Sequence, residues 1–184
     1  ADELVKIVRN LVAVQTSRIA VAYENNDFGK LLLPLVEKTI AAEGAALAGS
    51  HALASSGEDA NDAAKALATQ KPQAVLLVAA GPSVVAYVRA NRAHLGVPIY
   101  TLSLGAGSAV LKALGDDARG LAVARTGPSP TKPTIALTRD FQASMKRHDK
   151  PADYDRYTGY MDARVLIEGL RAAVSYTHLR AHET

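Results

Sequence analysis

Side chains able to do chemistry are scattered through this chain without forming a catalytic set. His51, His94 and His148 show no metal-ligand spacing among them and read as surface or strand-end residues. Acidic pairs at Glu58/Asp59 and Asp116/Asp117 fall in helix starts or turns, where carboxylates suit the helix dipole. The string GAGSAV, Gly105 to Val110, contains G-x-G but lacks the third glycine of a dinucleotide loop and lies late in the chain. The chain has no G-x-S-x-G elbow, no P-loop and no H-E-x-x-H pair. With no cysteine, it has no thiol nucleophile, disulfide or thiolate metal site. The expectation is a binding protein rather than an enzyme, with no cofactor and no metal.

The most suggestive cluster is in RIAVAYENNDFGK, Arg18 to Lys30, where an apolar run ends in Glu24, Asn25, Asn26 and Asp27, followed by Phe28 and Gly29. A strand that delivers polar groups and then a ring suits a ligand-facing turn. It equally suits a plain turn with a helix cap. Asp27 reads as the cap, while Asn25, Asn26 and Phe28 stand open between the two readings.

These residues need elements to position them. The chain has 184 residues, enough for one sizeable core, and carries a net charge of +3. Lys and Arg are scattered rather than striped, so no nucleic-acid face is expected; KRHDK, Lys146 to Lys150, reads as a polar helix end. No apolar run approaches the about 20 residues of a membrane span, so no direct membrane insertion is expected. The last eleven residues, VSYTHLRAHET, follow a helical pattern without a cap or turn and read as a translated sequencing adapter. Residues 1–173 are therefore expected to form the folded body and residues 174–184 a non-native tail, the whole reading as a fragment of a longer protein.

Strand and helix patterns alternate along residues 1–173. Leu4, Ile7, Val8, Leu11 and Val12 share one face of an opening helix. Ile19–Tyr23 reads as a strand. The next helix starts at about Asp27, carries Leu32, Leu35, Val36 and Ile40 on one stripe and stops at Gly44, with Pro34 inside it. ALAGSHAL is a second strand, and SSGEDANDAAKALATQ a helix with Ser55 or Ser56 near its start. PQAVLLVAA, Pro72 to Ala80, is the clearest strand, since a continuous apolar run needs both faces covered. Gly81-Pro82-Ser83 opens another helix. VPIYTLS and GLAVART are the fourth and fifth strands, and two helices follow over about Ile135 to Arg147 and Gly159 to Ala173. This predicts an α/β fold: a Rossmann-like parallel sheet of about five strands with helices on both faces. Ligands of such sheets bind outside the carboxyl ends of the strands, where Glu24 to Asp27 sit.

RIAVAYENNDFGK, the stretch PQAVLLVAAGPSVVAYVRANRAHLGVPIYTLSLGAGSAVLKALGDDARGLAV and GYMDARVLIEGLRAA together resemble the type I periplasmic binding proteins. The resemblance is to the leucine/isoleucine/valine-binding branch and maps to the second lobe of a two-lobed protein. It implies one jaw of a hinged pair that closes on a small solute and docks on the membrane permease of an ABC importer. It also implies ligand contacts at Phe28, Ala80, Gly81 and Ser103. Ala80 and Gly81 stand where relatives can carry an aromatic, and Ser103 where they can carry an acid. A Ser hydroxyl cannot neutralise an ammonium, so a neutral or anionic organic ligand competes with an amino acid. Helix-start amides after Gly81 and Gly107 suit a carboxylate, with Arg125 and Thr126 at hand, although a surface role for Arg125 is slightly favoured. Leu102 and Leu104 fall to the packed layers by alternation. The implied location is the periplasm, or the cell exterior with a membrane anchor in a single-membrane host. The rival reading is a ligand-sensing effector domain of a transcription regulator or membrane sensor.

Overall fold

A computed structural model of the chain describes residues 2–181, and side chains from residue 2 to residue 173. The chain divides into two compact units, Ala1–Thr126 and Gly127–Thr184. The reading of residues 174–184 as a tail falls outside the described side chains, and His182 outside the described residues altogether.

The first unit is a five-stranded parallel sheet in the order β2-β1-β3-β4-β5. Its strands are β1 (Arg18–Glu24), β2 (Ala46–Leu53), β3 (Ala74–Val78), β4 (Ile99–Thr101) and β5 (Leu121–Val123). Its helices are α1 (Asp2–Ala13), α2 (Asp27–Ala42), α3 (Ala60–Thr69), α4 (Pro82–His94) and α5 (Ser108–Leu114). Every residue of β3 is buried, as its unbroken apolar run requires. Alternation splits the core in two. Ala20, Ala22, Val75 and Leu77 face α3 and α4, while Ile19, Val21, Leu76 and Val78 face α1 and α2. Tyr87 of α4 is fully buried in the first layer, and burial pushes its phenol above the usual tyrosine range. Arg9 of α1 pairs with Glu43 after α2 at 2.9 Å; that hydrogen bond, then the charge, raises its pKa.

Local chemistry moves three expected boundaries. The cap of α2 is Asn26, not Asp27: Asn26 Oδ1 accepts the Gly29 amide at 2.9 Å, and Asp27 is the first helical residue. The α3 helix starts at Ala60, beyond Ser55 and Ser56, because the chain turns through Gly57 at φ 76° and Asp59 closes the turn on the Ala54 amide. Leu104 is 53% exposed rather than packed, since β4 ends at Thr101 and a 3-10 turn over Ser103–Gly105 breaks the alternation.

The second unit carries α6 (Ala136–Arg147) and α7 (Tyr154–Ala181). Phe141 stacks near Tyr157 and Tyr160, and the Thr138 and Tyr157 hydroxyls share a 2.6 Å bond. The α7 helix begins five residues before the expected Gly159, because Asp153 accepts the Arg156 amide at 2.9 Å and starts the helix there. Val165, Leu166, Ile167 and Leu170 of α7 are exposed. No helix among the described residues is long and apolar enough to cross a membrane.

Candidate ligand-binding face

In the order β2-β1-β3-β4-β5 the chain reverses its direction of winding between β1 and β3. The crevice outside such a switch point is the usual place for a ligand. Here a polar network bridges it. Glu24, the last residue of β1, is only 6% exposed. Its carboxylate accepts from Ser83 Oγ of α4 at 2.6 Å and from Asn26 Nδ2 at 2.7 Å. Two neutral donors thus satisfy a buried carboxylate. Gly29 belongs to the same lock: a Cβ there would lie 1.9 Å from the Glu24 carbonyl oxygen, so only glycine fits the approach of α2 to β1.

The polar residues after β1 therefore divide. The Asn26 side chain is spent on the cap and on Glu24. Asn25 donates its amide to the Leu53 carbonyl at 2.8 Å, tying the ends of β1 and β2, and leaves its side chain exposed. Phe28 packs its half-buried ring against the α1/α2 layer. After β3, the Ala80 carbonyl receives a second Ser83 contact at 3.1 Å. Gly81 takes φ 66° and opens α4 with no side-chain cap. Because Pro82 has no N–H, the first free helical donor is the Ser83 amide. Gly107 likewise opens α5 without a side-chain cap.

Phe28 and Ser103 meet across a groove of about 500 Å³, whose apolar wall is completed by Leu32, Leu35, Leu102 and Leu104. Ala80 and Gly81 lie apart from it; Gly81 borders a second groove, between α4 and α5, with Pro82, Val85 and Val110. Arg125 lines a third, of about 400 Å³, with Glu3, Lys6 and Tyr100. Its guanidinium donates to the carbonyls of Ala106 at 2.8 Å and Ser103 at 3.4 Å.

Two residues here were not singled out as ligand contacts from the sequence. Glu24 belongs to the polar cluster, but its burial shows only once β1 and α4 are adjacent. Glu3, on α1, reaches Ser103: its Oε2 accepts the Ser103 amide at 2.9 Å and its Oε1 the Ser103 hydroxyl at 2.6 Å. An acid thus stands beside Ser103 after all, brought from far along the chain. Among the described residues no group of three or more His, Asp or Glu could hold a metal ion.

Residues 1–182 match the family described as periplasmic binding protein. No curated protein matches the chain. Among solved structures, a substrate-binding periplasmic protein from Ralstonia solanacearum is 27% identical with a TM-score of 0.78, over 94% of this chain and 50% of that one. A branched-chain amino acid ABC transporter protein from Thermus thermophilus, solved with bound valine, is 17% identical with a TM-score of 0.77, over 93% of this chain and 46% of that one. A solute-binding protein of an R. palustris ABC transporter, in complex with benzoate, is 18% identical with a TM-score of 0.72, over 92% of this chain and 48% of that one. The chain spans about half the length of these structures.

Proposed function

We propose a function from one premise: this chain belongs to the periplasmic binding protein family. It is one lobe of the solute-binding component of an ABC importer. Its carboxyl-end face forms one wall of an interlobe cleft that closes by hinge motion on a small organic solute. The observation that carries this reading is the groove where Phe28 and Ser103 converge with an apolar wall at the carboxyl end of a parallel sheet. The solved relatives with valine and with benzoate support a ligand of that size. The protein binds and releases its solute without turnover, acts in the periplasm or outside the cell, and hands the solute to a membrane permease. Asn25 and Phe28 border the solute on one side and Ser103 on the other. Asn26 supports this face through its bonds to Glu24 and the Gly29 amide, Ala80 and Gly81 lie on the face apart from the groove, and Arg125 bounds a flanking groove.

The test is calorimetric titration of the full-length protein with valine, leucine and benzoate, repeated on this chain alone. Saturable binding of one of them is expected for the full-length protein. This chain should bind at least about ten-fold more weakly, because a cleft that buries most of its ligand loses half its contacts with one wall. Equal affinity for the two would end the two-lobe reading.

A further inference from the structure

At the other end of the sheet from the candidate face, the carboxyl end of α4 and the starts of β4 and β5 line a cavity of about 330 Å³. That volume suits a small ligand. Val88, Val97 and Leu121 supply apolar walls, and Asn91, Arg92 and Arg119 supply polar ones. Asn91 is only 3% exposed. Its Nδ2 donates to the Val97 carbonyl at 2.9 Å, which fixes the end of the amide that is left over. That end, Oδ1, is buried and has no hydrogen-bond partner among the described residues. An unmet buried acceptor carries a free-energy cost that a donor in the cavity would relieve.

The charges around the cavity are unequally held. Arg92 donates to the Asp116 carbonyl at 3.1 Å and to the Asp117 carboxylate at 3.2 Å, and Asp117 also takes Arg89 at 3.0 Å. Arg119 has only Asp116, at 3.7 Å, in a pair whose side chains are 83% and 96% exposed and therefore screened. Neither aspartate lines the cavity. The cavity thus offers one buried acceptor, one loosely held guanidinium and apolar walls. A single acceptor suits a hydroxyl, with its one O–H; an ammonium brings three N–H donors and would leave two unmet. Asn91 also lies in the last turn of α4, the negative pole of the helix, where a donor is favoured over an acceptor.

We infer that this cavity is a second ligand site, which takes small hydroxycarboxylates with an apolar body. The ligand hydroxyl donates to Asn91 Oδ1, and Arg119 turns from Asp116 to the ligand carboxylate. The site lies at the amino end of the sheet and does not depend on what the carboxyl-end face binds.

The test uses this chain, labelled with nitrogen-15, and three probes sharing one branched apolar body: 2-hydroxyisovalerate, isovalerate and valine. Each is titrated to roughly 50 mM, enough to saturate a site of millimolar affinity. 2-Hydroxyisovalerate is expected to move the Gly96 and Gly120 amides and the Asn91 side-chain amide saturably. At these signals it should bind about ten-fold more tightly than isovalerate, the gain of one bond to an unmet acceptor, and more tightly than valine. Arg119→Gln, a change at an exposed side chain, should weaken it at least about three-fold, and Arg119→Lys should keep the affinity in part. Unchanged β3 amides report that each variant is folded. If isovalerate or valine binds there as well as the hydroxy acid, or Arg119→Gln keeps the affinity, the inference is overturned. Shifts confined to Phe28 and Ser103 belong to the carboxyl-end face; they too overturn the inference, while the solute-binding reading stands. If no probe moves Gly96 or Gly120, the cavity holds water alone and is no ligand site.

Discussion

Two turns deliver helix starts to the same edge of this sheet, and they are built in opposite ways. After β1, side chains satisfy the turn: Asn26 caps α2 and donates to Glu24, and Gly29 lets α2 lie against the Glu24 carbonyl. After β3, backbone alone makes the turn: Gly81 sits at φ 66°, no side chain caps α4, and the space where a Cβ would stand is empty. The first turn is closed by packing and hydrogen bonds, the second only by conformation. Polar residues at a strand end are therefore not automatically ligand contacts. Asn26 and Glu24 look like a site in the sequence and are consumed by the fold.

That difference fixes a ranked set of outcomes. Gly29→Ala should be the most damaging change, at least about 3 kcal/mol, because the new methyl group meets backbone that must move; urea denaturation measures it. A loss under about 1 kcal/mol would show that the first turn is looser than its contacts imply. Asn26→Ala should cost about 2 kcal/mol, the cap together with one donor to a buried carboxylate. Gly81→Ala should cost about 1 kcal/mol, since its penalty is conformational strain with no clash. A Gly81→Ala loss equal to that of Gly29→Ala would erase the distinction. Asn25→Ala should stay within about 0.5 kcal/mol, because its side chain is exposed and only its amide is used. A thermal melt beside Asn26→Ala would separate adjacent asparagines by role.

The five strands and their parallel sense were legible because β1 and β3 are continuous apolar runs and the helices between them keep their stripes, while the order of the strands was not read. Boundaries slipped where two neighbours could do one job: Asn26 and Asp27 both suit a cap, and geometry chose the one three residues before the Gly29 amide. The start of α7 was legible in principle, in Asp153 following Pro151, but the glycine at 159 drew the boundary later. The groove was half legible. Phe28 and Ser103 carried signals in their own turns. Glu3 carried none, because its meeting with Ser103 depends on how α1 lies over the sheet, which no local pattern encodes.

The Glu24 carboxylate joins Asn26 on one side to Ser83 on the other, across the switch point. Three side chains that would otherwise sample many rotamers are thus ordered when the chain folds. Each such side chain costs up to about 1.5 kcal/mol in lost rotamer freedom. That entropy is met on folding, so the switch point enters the native state as a fixed seam between two helix starts.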